Sequence, residues 1–592
     1  MVSDADWATP AERSDYQTTP DYSETLRFLE RLAAAYPDRV RVETFGSTGE
    51  GRPLKLVIVS RDGVFDPAAV RAAHRVIVLV QNSIHAGEMD GKDACLALAR
   101  DLVHDPALSP LLDRVVLTFI PVYNVDGHER RSPYGRINQN GPATFGWRAN
   151  GTNLNLNRDY QKADAPETAA FLRLFHRWVP DFFVDDHVTD GADFQYDVTF
   201  MLDDTPDVHP ATAEWLRGSV SPELVRRVNR AGHLAFPAQV FLKDDADPGQ
   251  GLVFNENTPR FSTGQMILEN RPGLLVELHM LKPYRTRVGA NYAVLRALLE
   301  LLNEHADRLL ELNRQADAAA ARLGTPEGRA DPFPLLLGAS GATTPIAFLG
   351  NEYERFLSDI SGAEAIRYGT APRTWNIPFE TGARVVTSVS LPAGYIVPPQ
   401  WTRVIEVLEL HGVELRRTSA EWTGEVERYR CSGMQRPNRP FEGRYPILQG
   451  GNVERPMGRF GDCVRSRERM TFPAGSAVIA LDQRGSKVAV HWLEPEAPDS
   501  ALRWGFFDPI FEQKEGGEAY VVEELARREL EADPGLRAEF DTRVRDDEEF
   551  RRSPSARLAF FYDRSPWGAA NRVGEYPVGR LLSFEGIPIR NP

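Results

Sequence analysis

The chain has 592 residues, 42% hydrophobic and 26% charged, with a net charge of -15. That length predicts more than one domain and ample material for a buried core, in an ordinary globular composition. The negative balance argues against nucleic acid and anionic membranes as partners, and no apolar run reaches the length of a membrane span.

The first residues, Met1 to Trp7, carry neither a basic region nor an apolar core, so no signal peptide is read there. Arg75-Val-Ile-Val-Leu-Val80 reads as a buried strand, and Gly91 to Val103 as an amphipathic helix. Between them stands His85-Ala-Gly-Glu88, which can turn an imidazole nitrogen and a carboxylate oxygen toward one cation. The tetrad alone decides little. With twelve histidines, a chance His-x-x-Glu is expected about once, and His411-Gly-Val-Glu414 and His491-Trp-Leu-Glu494 are read as structural copies. The second of these is expected within an alternating strand, where positions three apart face opposite sides.

The first copy has company. Leu117 to Val122 is another strand run, followed by the turn-rich Asn124-Val-Asp-Gly-His-Glu129. Then come Gly146-Trp-Arg148, Asn153-Leu-Asn-Leu-Asn-Arg-Asp159 and Ala165-Pro-Glu-Thr168. Phe182-Phe-Val184 runs into Asp185-Asp-His187, and Gly273-Leu-Leu-Val-Glu-Leu-His279 sets a carboxylate inside an apolar strand, which is costly unless that carboxylate is paired, protonated or functional.

In this order the motifs resemble the catalytic domain of the zinc carboxypeptidases, the carboxypeptidase A-like metallopeptidases, from about Tyr22 to Arg287. Ser47-Thr-Gly-Glu-Gly-Arg-Pro53 is similar to the opening turn of that family. The resemblance implies an α/β fold, a mixed sheet flanked by helices, with one Zn2+ per chain held by His85, Glu88 and His187. It implies Glu277 as the general base toward a zinc-activated water and Arg148 as a partner of the developing oxyanion. Asn157 and Arg158 would hold the terminal carboxylate of a peptide substrate with a free C-terminus. Arg136 and the Arg130-Arg131 pair compete locally with Arg148, and Glu269 competes with Glu277.

The chemistry asks for these residue types on its own terms. Zinc polarises a poorly electrophilic peptide carbonyl and lowers the pKa of bound water toward about 7. A carboxylate can shuttle the proton to the leaving amine, and a guanidinium fork matches a carboxylate better than an ammonium does. Two positions depart from the family pattern. Asn155 stands where an Asp would orient a ligand histidine, a role that Asp185 or Asp186 could take over. Arg260-Phe-Ser-Thr-Gly264 offers Phe261 where the family brings a tyrosine. An amidase or deacylase with the same zinc chemistry is the alternative, and a catalytically silent zinc or peptide-binding module a more distant one.

Asn291 to Leu323 contains neither Pro nor Gly and is expected as one unbroken helix closing a catalytic domain of residues 1–323. The Pro- and Gly-rich residues 324–334 then form a linker, and residues 335–592 a β-rich C-terminal region of unassigned role. Arg384 to Ser390 and Ser476 to Leu481 read as strands there, Gln400 to His411 as a short helix, and Ala519 to Glu549 as a charged helical stretch. Pro440-Phe-Glu-Gly-Arg444 and Trp504-Gly-Phe-Phe507 resemble large bacterial members of the family. Of the three cysteines, Cys95 is expected as a buried thiol; Cys431 and Cys463 are expected to remain unpaired unless the compartment is oxidising. Localisation stays open between periplasmic or secreted and cytoplasmic.

Overall fold

The computed structural model describes residues 4–189, 191–448 and 457–590. The first half is built on β1 (Val40–Ser47), β2 (Pro53–Val59), β3 (Val76–Asn82), β4 (Val115–Ile120), β5 (Phe182–Thr189), β6 (Val198–Leu202), β7 (Ala235–Phe236) and β8 (Gly273–His279). They form one mixed sheet in the order β1-β2-β4-β3-β5-β8-β6-β7. The centre, β4-β3-β5-β8, is parallel, and antiparallel pairs flank it on both sides.

Parallel strands covered on both faces read as unbroken apolar runs, and β3 is buried at every position. The two-residue period divides its side chains between two cores. Val76, Val78 and Val80 pack with Leu96, Leu98 and Ala99 of the helix Asp90–His104 and with the helix Tyr284–Glu304. Ile77 and Leu79 pack with Phe171, Phe175 and Trp178 of the helix Pro166–Trp178 on the opposite face. On β5, Phe182, Val184 and Val188 join the first core, while Phe183 joins the second. Asp185 and His187 therefore share the Phe183 face, and Asp186 lies on the other. Gly91 is needed there: a Cβ would come within 2.6 Å of the Asp186 side chain.

The expected single helix is two, Tyr284–Glu304 and Ala306–Ala321, broken at His305 with φ -112° and ψ 21°. Neither Pro nor Gly marks the break; packing sets it, since the change of direction keeps Leu309 and Leu312 in the same core as Leu298 and Leu302.

The second half is β-rich with a helical tail. β9 (Phe333–Ala339) pairs with β12 (Ala383–Val389), and β10 (Thr343–Leu357) forms a long hairpin with β11 (Glu364–Glu380). β13 (Gly394–Val397), β14 (Arg416–Arg417), β15 (Trp422–Ser432), β16 (Asp462–Phe472), β17 (Ala477–Ala480) and β18 (Gly579–Leu581) make a six-stranded sheet. The short helix forms at Thr402–Leu410. Residues 519–549 are helical as expected, in successive helices of which Asp533 and Asp547 cap the later two, the first of these opening on Pro534. Two corrections fall here. His491 lies in the helix Ser486–Leu493, of whose residues all but Lys487 are buried. Cys431 and Cys463 face each other across β15 and β16 and form a disulfide.

Among the described residues no helix is long and apolar enough to cross a membrane. Cys95 is a buried thiol, as expected.

Candidate metal centre and substrate cleft

β3 leaves the sheet through Ser83, in the left-handed region at φ 58°, and this turn delivers His85 and Glu88 to the carboxyl ends of the parallel strands. β5 brings His187 to the same point. His85 Nδ1 lies 3.1 Å from Glu88 Oε1, His187 Nδ1 lies 3.0 Å from Glu88 Oε2, and the two Nδ1 atoms are 3.2 Å apart. All three residues are buried. Two imidazole nitrogens and a carboxylate converging on one point are the donor set of a cation such as zinc.

The far ring nitrogens have partners of their own. His187 Nε2 is 2.8 Å from Asp185 Oδ2, and His85 Nε2 is 3.2 Å from Asn155 Oδ1. Both partners are acceptors, so each Nε2 can carry a hydrogen and each Nδ1 lone pair is free to face a metal bound at the cluster. Asn155 thus holds a histidine despite lacking a charge. Asp185, not Asp186, supplies the carboxylate. Asp185 is itself held by Gln81 Nε2 at 3.0 Å and by the Ser262 hydroxyl, and Tyr160 donates to Gln81 at 2.6 Å. On the opposite face, burial pushes the Asp186 carboxyl up to about 8.

Electrostatics separate the three candidate ligands. Burial, aided by Arg148, holds His85 well below the usual imidazole value. Burial would also lower His187, but Asp185 and Glu88 outweigh it and raise the ring well above its usual value. Glu88, which burial alone would raise, is held well below the carboxylate range by His85 and Arg136. The acidic surroundings of His187 thus favour a positive charge at this point, the role that a metal ion takes from a proton.

Glu277 sits beside His187 in the β5–β8 register and lines the cleft over the cluster, with Gln239 Nε2 3.4 Å from its Oε1. Its sequence rival Glu269 is buried elsewhere, bound by Arg484 at 3.1 Å and facing His176 and His411. Arg148, Asn157 and Arg158 line the same cleft. The Arg148 guanidinium is 3.7 Å from Glu88 Oε1, and its main chain is held by Asn124 Nδ2 at 3.0 Å. Arg136 reaches Glu88 Oε1 at 2.9 Å but does not line the cleft, and Arg131 turns away to the carbonyls of Thr19 and Pro20.

Asn157 Oδ1 accepts from Ser262 N at 3.1 Å, and Arg158 lies over the Phe261 ring at 4.3 Å. Burial, with Arg148 and Arg260 nearby, lowers Arg158 to about 9. Crowded guanidinium groups of this kind make a site for an anion. Phe261 lines the cleft, and no tyrosine does so among the described residues.

Residues far along the chain also reach this region. Glu442 Oε2 accepts from Asn155 N at 2.7 Å, and Asp499 accepts from Arg260 Nη1 at 3.0 Å. Glu442 belongs to the Pro440–Arg444 segment noted in the sequence, and no motif marks Asp499. The two other His-x-x-Glu copies are structural. His411 is bonded to Gln265 and to the Gln161 carbonyl. Glu494 is held by Tyr395, Tyr429 and Arg580.

A His-Glu-His cluster with a further carboxylate beside it, at the carboxyl ends of a mixed sheet, defines the metal-dependent hydrolase class of site. Residues 25–200 match the sequence model of the zinc carboxypeptidase family. Over 519 residues the chain is 21% identical to carboxypeptidase 2 of Trichophyton tonsurans, covering 84% of this chain and 86% of the fungal protein. It is 28% identical over 115 residues to carboxypeptidase B of Astacus astacus, 19% of this chain and 35% of that one. The solved metallo-carboxypeptidase from Burkholderia cenocepacia superposes with a TM-score of 0.36 at 18% identity, over 48% of this chain and 69% of that one. Residues 25–200 thus match a zinc carboxypeptidase domain, and the chain is an enzyme, a hydrolase of the metallocarboxypeptidase class. Its long matches include fungal proteins, and the expectation of a bacterial type finds no support in them.

Proposed function

We propose that the protein removes C-terminal residues from peptides as a zinc-dependent carboxypeptidase. The observation that carries this reading is one cleft lined by His85, Glu88, His187, Glu277, Arg148, Asn157 and Arg158. His85 and His187 through Nδ1, and Glu88 through its carboxylate, would hold one zinc per chain. Bound there, zinc would polarise the scissile carbonyl and acidify water.

The protein's own groups do the rest. Arg158 and Asn157 bind the terminal carboxylate and so set which peptide bond enters the cleft. Glu277 takes the proton of the attacking water and returns it to the departing amine. Arg148 donates to the carbonyl oxygen as negative charge develops on it. Phe261 packs under the Arg158 guanidinium, an apolar support where a hydroxyl would otherwise stand. The amidase or deacylase alternative gains no observation of its own.

The test is metal titration of chelator-stripped protein on an N-blocked dipeptide with a free C-terminus. Release of the terminal amino acid should return in proportion to zinc and saturate at one ion per chain. Full activity in the stripped protein would refute the reading.

A further inference from the structure

We propose that Glu442, from the second half of the chain, is a positioning residue for the metal site, acting through Asn155 on His85. The inference rests on the zinc reading above. Asn155 caps the short helix Leu156–Arg158, and its side-chain Oδ1 accepts from Asn157 N at 3.0 Å and meets His85 Nε2 at 3.2 Å. An amide oriented toward a ligand histidine brings no charge, so its effect depends on how firmly its own backbone is held. A residue at this capping position has no bond from its backbone N–H within the helix it opens. Glu442 supplies one from 287 positions away, through Oε2 at 2.7 Å.

Glu442 is built for this contact. Its φ is 49°, a left-handed conformation that a non-glycine residue adopts when its surroundings impose it. The surroundings do. Phe441 and Arg444 exchange backbone bonds across the turn at 2.7 and 3.1 Å. Arg444 grips Asp164 with two bonds of 2.6 and 2.7 Å and stacks 3.8 Å over Phe506. Gly443 lies against Leu154, the residue before Asn155. The turn is thus tied to the catalytic half just after the carboxylate, and one segment, Asn155 to Arg158, joins the metal ligand His85 to the substrate anchors.

The second half then helps position the metal ligands, which zinc affinity tests on the full chain. Chelator competition on wild type, Glu442→Ala and Glu442→Gln, with thermal unfolding of each metal-free protein, separates the roles. Glu442→Ala should bind zinc about tenfold more weakly. Glu442→Gln, which keeps an accepting oxygen, should bind nearly as wild type. In an Asn155→Ala background, Glu442→Ala should add no further loss, because the route to His85 is already cut. Should Glu442→Ala fail to fold, Glu442→Asp, shorter by one methylene, serves in its place. Unchanged zinc affinity in Glu442→Ala would overturn the inference while leaving the carboxypeptidase reading intact. Equal losses in Glu442→Ala and Glu442→Gln, matched by equal falls in unfolding temperature, would overturn it as well. Wild type that binds no zinc would sink both.

Discussion

Replacing Arg158 with Ala removes the group proposed to grip the substrate's terminal carboxylate, and the size of the effect follows from its setting. The guanidinium is pinned from its own side by a 2.7 Å bond to the Asn157 carbonyl and by the Phe261 ring 4.3 Å away. Its fork is therefore oriented before substrate arrives. A hydrogen bond to a charged partner contributes about 1.5–3 kcal/mol, and a bidentate pair makes two of them. Part of this is lost because the site opens to solvent, so we expect about 3–4 kcal/mol in kcat/KM, or roughly 200- to 1,000-fold. Arg158→Lys keeps the charge without the fork and should recover only part of it. The assay is kcat/KM on matched peptides with a free acid or an amide at the C-terminus. The loss should fall on the free-acid peptide alone and bring its rate toward that of the amide. An equal loss on both forms, or no loss on the acid, would refute the anchor.

Three further outcomes are expected. Asp185→Asn should weaken zinc binding about 10- to 100-fold, measured by chelator competition, because Asn brings no charge to His187 Nε2; unchanged affinity would contradict its role. Burial raises both Asp203 and Glu256 to about 8 in the folded chain. A carboxyl with a raised folded value favours the fold while protonated, so stability should fall between about pH 4 and pH 8, at up to about 1.4 kcal/mol per pH unit per group. Urea unfolding of Asp203→Asn and Glu256→Gln should show a shallower decline than wild type, and an identical slope would contradict this. Asp499→Ala takes away the carboxylate bonded to the Arg260 side chain and backbone at 3.0 Å and to Trp504 at 3.1 Å, all fully buried. The unfolding free energy should drop by about 3–5 kcal/mol, and a change under about 1 kcal/mol would show that the pair is not sustaining the fold.

The site was legible where chemistry had to break a local pattern. Glu277 stands out as a carboxylate inside an apolar strand, and His85-x-x-Glu88 stands between a fully buried strand and a helix. Asp185 was legible in principle: it lies two residues before His187, so the strand period puts both on one face and Asp186 on the other. Asp499 carries no such mark, and the segment Pro440–Arg444 shows only a family likeness, because both meet the site through folding of distant segments. Elements failed for similar reasons. The break at His305 has no breaker residue to mark it, and the helix around His491 is short and buried, so that it reads much like a buried strand.

Carboxypeptidase activity is decided by mass spectrometry of a mixed peptide pool incubated with zinc-loaded protein. Each peptide is present with a free and an amidated C-terminus, and Glu277→Gln protein runs alongside. Stepwise loss of C-terminal residues from the free-acid peptides alone, abolished in Glu277→Gln while zinc remains bound, is the predicted result. No loss from either form, with one zinc bound per chain, would contradict the carboxypeptidase account.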